Sequence, residues 1–283
     1  MNMVEILKSI IFLIEGVIFL SLAIMAYWLW ARKQGINLWS MLTEQDNPAM
    51  SISLCGFLFG SIIAFTGSVS VSGVSFLRHL NDVAKYSIII LLLQMAAVAI
   101  AEKFLFLGLE MKREIAEKRN VAVAVPLAAI SIATGLIIVG AFSAPKNGVL
   151  LSLIWFVIGQ AALLAIAKLY QIHITPYNDM AEIQQQNLAA GFALSGVLVA
   201  VGYIISHAIE GEFTSWWTDI IGVMTYIVVS LAILALMRVF TDKVILPKVN
   251  INDEIVKDKN IGAGLIEGTV YVLSAMLIAF FLT

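Results

Sequence analysis

The chain has 283 residues, of which 61% are hydrophobic and 13% are charged, and its formal net charge is −2. Soluble domains carry about 25% charged residues, so this chain cannot cover a surface that faces water, and the lipid bilayer is its expected partner. The near-neutral charge argues against a nucleic-acid partner. The single cysteine, Cys55, excludes a disulfide framework within the chain and a cysteine-based metal site.

Eight segments are long and apolar enough to cross the bilayer, which takes about 20 apolar residues for a helix. The sequence therefore predicts an all-α, polytopic membrane protein. In chain order the predicted transmembrane helices are 7–30, 47–69, 82–109, 120–142, 148–171, 187–208, 219–240 and 260–282. The first is longer than the apolar core of a signal peptide, and no cleavage pattern follows it, so it is interpreted as a membrane helix.

Lysine and arginine are unevenly shared between the two sides of the predicted membrane. Thirteen lie in or beside the first, third, fifth and seventh connections, and four (Lys8, Arg78, Lys85 and Lys146) lie on the other side. Cytoplasmic loops carry the excess of positive charge. The chain is thus predicted to place the thirteen in the cytoplasm and both termini on the outer, periplasmic side.

The two halves of the chain resemble each other. A shift of 140 residues superposes Asn47 on Asn187 and Tyr86 on Tyr226 without a gap. Each half has four predicted helices, and an even number returns the chain to the same side. The sequence therefore predicts two parallel four-helix repeats, 1–143 and 144–283, related by a pseudo-two-fold axis along the membrane normal.

A weaker repeat lies inside each half, because every second helix begins at an asparagine. These residues are Asn47, Asn120, Asn187 and Asn260, and each follows an acidic residue, Glu44, Glu114, Glu182 or Glu254. An asparagine at this position accepts hydrogen bonds from the first turn of the helix as an N-cap. The alternative is a polar ring at the cytoplasmic mouth that binds an ion, a lipid head group or a partner.

The end of the second half resembles a known family. The residues that carry the resemblance are Asp-Lys-Val-Ile-Leu-Pro at 242–247, Glu-Ile at 254–255 and Asn-Ile-Gly-Ala-Gly at 260–264. This pattern is similar to the bacterial domain-of-unknown-function family 350, which includes the YjfL-like inner-membrane proteins. The first half is more degenerate, with Leu107 in place of Pro247. The resemblance implies two tandem copies, four helices per copy and a bacterial inner-membrane location, and it supplies no activity.

Six charged residues are candidates for function besides the asparagines. Glu15 and Glu267 lie inside apolar helices, where an ionisable group is costly and is a candidate for ion or proton transfer. The alternative is a protonated or hydrogen-bonded acid between helices. The repeated pairs Glu102-Lys103 and Asp242-Lys243 are either snorkelling helix ends or ion pairs between repeats.

Other side chains point to packing more than to chemistry. Gly56 and Gly60, like Gly264 and Gly268, have the small-xxx-small spacing of close helix contacts. The histidines, with His79 expected in an outer loop, show no metal-ligand spacing, and no nucleotide-binding or nucleophile motif occurs. No cofactor or metal is predicted, and an enzyme has no positive support.

Three classes of function remain open at this point, and one of them, a membrane-embedded enzyme, has no supporting motif. Otherwise the chain is either a conduit, a channel or transporter for an ion or small solute at the interface between the repeats, or a non-transporting scaffold. A scaffold would dock a cytoplasmic protein partner or anionic lipid through the basic loops. A conduit requires a polar path past Glu15 or Glu267, and a scaffold requires a dry interface between the repeats. Homo-oligomerisation is compatible with both.

Overall fold

The structure, a computed structural model, describes residues 3–70 and 76–282. Outside the described residues lie the segment 71–75 and the outermost residues of the two predicted repeats, residues 1, 2 and 283. In chain order the α-helices are α1 Met3–Lys33, α2 Leu38–Thr43, α3 Pro48–Ser70, α4 Phe76–Leu105, α5 Val121–Ala141, α6 Gly148–Leu169, α7 Asp179–Gln184, α8 Leu188–Ala208, α9 Trp216–Phe240, α10 Ile251–Val256 and α11 Ile261–Leu282.

Eight of these helices, within the described ranges, are long and apolar enough to span a membrane. They are α1, α3, α4, α5, α6, α8, α9 and α11, as the sequence predicts, and they form two parallel four-helix repeats. Most boundaries differ from the prediction by a few residues, and at two of them residues expected in a loop are helical. The third span begins at Phe76, and Trp216 and Trp217, expected in a loop, form the first turn of α9.

The eight spans form two rows. The inner row contains α3, α5, α8 and α11 in that order, all running in the same direction, and the outer row contains α1, α4, α6 and α9, running the opposite way. Burial is greatest in the middle of the inner row, where the most apolar stretches of α5 and α8 are 72% and 78% buried, and least in α1 and α9, at 11% and 22%. The end helix α11 and the outer helix α6 are equally buried, at 44%. The side on which the inner row begins is here called the Asn side.

Neighbouring helices of the inner row approach to backbone contact. A Cβ added to Gly60 on α3 would lie 2.0 Å from the carbonyl oxygen of Ser131 on α5, and one added to Gly135 would lie 2.2 Å from that of Gly60. Between α8 and α11, a Cβ on Gly196 would lie 2.1 Å from the Cα of Gly268. The small-residue pairs predicted from the sequence therefore serve packing, because dispersion and close fit replace the hydrophobic effect between helices in lipid.

Glutamine side chains tie the outer row to the inner row. Gln94 on α4 donates to the carbonyl of Ser131 over 2.8 Å, and Gln160 on α6 donates to the hydroxyl of Thr134 over 3.3 Å. Both acceptors belong to α5. An interhelical hydrogen bond in lipid is worth about 0.6 kcal/mol on average, so these bonds fix the register of the rows more than they add stability.

Candidate functional site

A cavity of about 250 Å³ lies in the second half, between α6 and α9, with α8 as its floor. Its walls are aliphatic and include Ile166, Val201 and Leu234. Leu169 and Ile174 also line it, and they are 53% and 42% exposed. The cavity therefore reaches the surface of the protein that faces the lipid.

One end of this cavity is polar. Arg238 on α9 forms an ion pair of 2.6 Å with Glu267 on α11, and its guanidinium also donates to the Tyr170 hydroxyl over 3.0 Å and to Asn252 over 2.7 Å. The Tyr271 hydroxyl donates to Glu267 over 3.4 Å. Tyr170 and Tyr271 line the cavity, so their hydroxyl groups connect it to the buried ion pair. These five residues are here called the Arg238 cluster.

The local fold explains why these groups meet. The helix that contains Arg238 continues beyond α9 as a π-helical turn, Thr241–Ile245, and α6 continues as Tyr170–Ile174. A π-helical turn rotates the following side chains relative to an α-helix, and such turns are frequent at functional sites. Glu267 and Tyr271 stand four residues apart on α11, so both face the same side of that helix.

The ion pair is deeply buried and not fully satisfied. The Glu267 side chain is 1% exposed, that of Arg238 is 13% exposed, and Glu267 Oε2 has no hydrogen-bond partner among the described residues. Nearly all buried polar atoms in proteins are paired, and an exception calls for a physical account. A carboxylate oxygen can only accept, so the group that fits beside Glu267 Oε2 is a hydrogen-bond donor.

A second pocket, of about 380 Å³, lies on the Asn side of the same cluster. It is lined by Gln171, Thr175, Tyr177 and Asp179, and the Thr175 hydroxyl donates to Asp179 Oδ2 over 2.8 Å. Gln171 Nε2, Tyr177 Oη and Asp179 Oδ1 are buried without a partner in the described part of the chain. Burial raises the pKa of Asp179 to about 7, with a smaller contribution from the charge of Glu267 and against the opposing effect of the hydrogen bond from Thr175.

This raised pKa makes the stability of the protein depend on pH. The folded state holds the Asp179 proton more tightly than the unfolded chain, so the stabilisation is complete below about pH 4 and is lost as pH rises to about 7. We expect Asp179→Asn to remove this loss, so that its melting temperature exceeds that of the wild type by a margin that grows from pH 5 to pH 7. Melting curves across that range test this, with the exposed Asp258→Asn as control. Parallel curves for the wild type and Asp179→Asn would contradict it.

The first half has the same cavity in a reduced form. Tyr27 stands where Tyr170 stands in the second half, and the cavity beside it measures about 30 Å³. Met95 occupies the position of Ala235, and its longer side chain accounts for part of the difference in cavity volume. The residues that replace Arg238, Glu267 and Tyr271 are Val98, Leu127 and Ser131. Both halves therefore share the fold, and the second half alone holds the ionic cluster.

Glu15 is buried in the first half and has a partner that the sequence did not suggest. His79 lies in α4, not in a loop as expected, and its Nε2 is 3.1 Å from a carboxylate oxygen of Glu15. Both residues are 9% exposed. The contact joins α1 to α4 far from the Arg238 cluster, so the two predicted acids occupy separate sites.

The repeated charged pairs lie at the ends of the outer row. Lys243 binds its own neighbour Asp242 over 2.8 Å, and Asp242 also accepts from the backbone of Ile251. Glu102 is half-buried and lines the small first-half cavity, while Lys103 is exposed. The described ion pairs include none between these residues of different repeats. The same described residues also hold no group of three or more His, Cys, Asp or Glu side chains suited to a metal ion.

Comparison with known protein families shows which family the chain belongs to. The family model described as Domain of Unknown Function (DUF350) matches residues 1–142 and again residues 146–282. The chain belongs to the DUF350 family. It consists of two tandem DUF350 units, in agreement with the resemblance of the sequence. No curated protein and no solved structure matches the chain.

The four repeated asparagines cap the inner helices of both DUF350 units. Each side-chain oxygen accepts a first-turn backbone N–H, as the capping interpretation predicts. The preceding residue has a left-handed backbone in all four cases: Asp46, Arg119, Gln186 and Lys259, with φ between 48° and 62°. This conformation is rare outside glycine, so the same tight turn is built four times.

The asparagine amides also link each helix pair to the next. Asn47 donates to the carbonyl of Ile115 over 3.0 Å, Asn120 to that of Ile183 over 2.9 Å, and Asn187 to that of Ile255 over 2.7 Å. The middle bond crosses from one DUF350 unit to the other, and it has the same form as the bonds inside each unit. The asparagines therefore form a row, here called the asparagine row, and not a ring.

Removing a bond of this row is expected to destabilise the fold. Asn187→Ala loses the cap and leaves the buried carbonyl of Ile255 without its donor, and we expect a loss of about 2–4 kcal/mol in the free energy of unfolding. Asn260→Ala is the matched control. Asn260 is exposed and makes no such link, so its loss is expected to be about 1 kcal/mol. Denaturation in detergent measures both, and equal losses would contradict the structural role of the row.

Proposed function

We propose that this protein is a membrane-embedded binding protein that takes an amphipathic molecule from the bilayer into the cavity of its second half. The observation that carries the proposal is an apolar cavity open to lipid that ends at two tyrosines, whose hydroxyl groups hydrogen-bond to a buried ion pair. Such a cavity, with few convergent polar groups, has the character of a ligand site. The apolar tail would contact Val201 and Leu234, and the head would lie against Tyr170 and Tyr271.

The chemistry of the cluster favours a head group that donates hydrogen bonds. Arg238 already donates to Glu267, Tyr170 and Asn252, whereas Glu267 Oε2 accepts nothing from the described residues. A hydroxyl or a primary amine supplies the missing donor. A carboxylate head would instead meet the carboxylate of Glu267 in a medium of low dielectric, which is unfavourable.

The interface between the repeats gives less support to a binding site or a solute path. A Cβ added to Gly140 on α5 would lie 2.2 Å from the carbonyl oxygen of Ser206 on α8, and one added to Gly202 would lie 2.5 Å from the Cβ of Ala133. Contacts of this kind close the places where α5 and α8 approach each other. The groove of about 370 Å³ that α5, α8 and α11 line is open and has no charged side chain. A site inside the second half fits the geometry better than one between the halves.

Binding of single-chain probes tests the proposal. We expect tritiated dodecanol and dodecylamine to bind saturably to the protein in lipid nanodiscs, and unlabelled dodecane not to displace them. Ala235→Met installs the first-half residue and narrows the cavity, and we expect it to weaken binding about tenfold, equivalent to about 1.4 kcal/mol. Met95→Ala enlarges the other cavity and serves as the control. Binding that Ala235→Met leaves unchanged, or that dodecane displaces, would contradict the proposal.

A conduit is the second candidate, and one observation favours it. The Arg238 cluster separates the lipid-facing cavity from the pocket at Asp179 on the Asn side, so polar groups extend from that surface to the buried acid. If the bound molecule or a proton crosses, proteoliposomes should show flux that Glu267→Gln reduces and Glu15→Gln does not. Flux equal to that of empty liposomes would oppose this candidate.

The scaffold hypothesis rests on the exposed basic residues of the Asn side, among them Arg113, Lys243 and Lys257. It predicts co-purification of a protein partner or enrichment of anionic lipid, and their substitution by Gln should reduce either. The bacterial inner membrane and the periplasmic position of both termini remain part of this proposal, supported by the distribution of Lys and Arg. Reporter fusions at the termini and after Lys118 test the orientation.

A further inference from the structure

The inner row has two ends that differ from its middle. Three junctions, α3 with α5, α5 with α8 and α8 with α11, use the same faces, and each carries one bond of the asparagine row. At one end, the amide of Asn260 donates to Glu254 and to no further helix pair among the described residues. At the other end, the carbonyl of Leu42 occupies the place of the Ile115 carbonyl, five residues before the capping asparagine, and no described asparagine of the row donates to it.

From this unfinished pattern we infer that a second copy of the chain binds head to tail, with α11 of one copy against α3 of the next and the amide of Asn260 bonded to the carbonyl of Leu42. The argument is continuity with an interface that the molecule already uses. The junction of α5 with α8 joins two separate DUF350 units, so one unit already docks on another through these faces.

The residues that meet at the three internal junctions define which residues would meet between copies. Gly56 on α3 faces Ala128 on α5, and a Cβ on Gly56 would lie 2.2 Å from that of Ala128. Gly56 is nine residues after the asparagine that caps α3, and Ala128 is eight residues after the asparagine that caps α5. The same two positions on the free ends are Thr269 on α11 and Cys55 on α3, and both are exposed.

The fit is closest near the Asn side. There the pair that corresponds to Ala189 and Gly264 is Gly262 on α11 and Ser51 on α3, so small residues again meet small residues. Farther along, Leu273 and Phe280, 53% and 78% exposed, replace the small residues of the internal junctions. The two copies therefore touch at Asn260 and diverge toward the opposite side, and a repeated contact of this heterologous kind curves into a ring or extends as a filament.

A single cysteine substitution tests the arrangement, because the chain has no other cysteine than Cys55. We expect Thr269→Cys to form disulfide-linked dimers and higher species when native membranes are oxidised. The two positions face each other in the inferred contact, and side chains larger than Gly56 hold the Cα atoms farther apart than at the internal junction, as a disulfide needs. The wild type and the double variant Thr269→Cys/Cys55→Ser are expected to stay monomeric on the gel. Leu236→Cys, exposed on the outer row, is the matched control and is also expected to stay monomeric.

Each other result overturns the inference. Absence of cross-linking in Thr269→Cys would mean that lipid covers both ends. Cross-links that persist in Thr269→Cys/Cys55→Ser would indicate a symmetric contact between two α11 helices, and cross-linked wild type would indicate one between two α3 helices. Asn260→Ser keeps a residue able to cap α11 but shortens its reach, so we expect it to lower the cross-linking of Thr269→Cys several-fold. Unchanged cross-linking would remove the asparagine row from the contact.

Discussion

Arg238→Val is expected to lower the free energy of unfolding by about 3–5 kcal/mol, because it leaves Glu267 buried without its counter-charge. The double variant Arg238→Val/Glu267→Leu is expected to regain most of this loss. It introduces the pair that the first half already holds at these positions, Val98 and Leu127, and apolar pairs of similar volume commonly replace a buried ion pair without loss of stability. Thermal unfolding in detergent, followed by circular dichroism, measures both.

The double variant also separates stability from binding. It should unfold like the wild type and still lose its preference for dodecanol and dodecylamine over dodecane, since Glu267 is gone. Val98→Ala in the first half is the control for a change at the matched position and should leave that preference intact. A double variant as unstable as Arg238→Val would contradict the prediction and would indicate that the ion pair itself is needed for folding.

Gly135→Ala is expected to destabilise the inner row by about 3 kcal/mol, at the upper end of the usual cost of overpacking. The added Cβ would lie 2.2 Å from the carbonyl oxygen of Gly60 and about 3 Å from its Cα. The obstacle is backbone, so it cannot move aside as a flexible side chain would, and α3 and α5 must separate along their length. Loss of midpoint temperature in detergent gives the measurement.

Gly222→Ala is a control for which the expected change in stability has the opposite sign. It lies within α9, and nothing within 4 Å would meet its Cβ. Alanine is favoured over glycine inside a helix by about 1 kcal/mol, so this variant should be slightly more stable than the wild type. If both alanine variants changed stability alike, the close approach of α3 and α5 would not be the feature that the glycines serve.

Composition and the repeat were enough to predict the membrane fold, the eight spans and their division into two parallel four-helix repeats. The physical reason is that a bilayer allows few solutions, since every backbone polar group must be bonded inside the segment that crosses it. The asparagine caps could also be predicted, because capping depends on residues that are neighbours in the sequence. What the sequence did not indicate is that their amides form a row, since Asn47 and Ile115 are far apart in the chain.

The candidate site was only half predictable. Glu267 was found because an acid in an apolar helix is costly, but its partner Arg238 was assigned to the basic end of its helix. The π-helical turns and the packing of α9 against α11 bring the two together, and neither follows from local sequence. One signal was available: Tyr170 matches Tyr27 across the repeat, while Arg238 and Glu267 match apolar residues. A change in one copy alone marks the half that has specialised.

The two rows of helices also divide the electrical character of each membrane surface. All inner helices present the positive ends of their dipoles on the Asn side, where Glu114 and Glu182 stand beside the caps, and all outer helices present their negative ends there. On the opposite surface the signs are exchanged. Each surface therefore carries two parallel stripes of opposite partial charge, about one helix diameter of 10 Å apart, so that lipid phosphate groups are favoured over one stripe and lipid ammonium groups over the other.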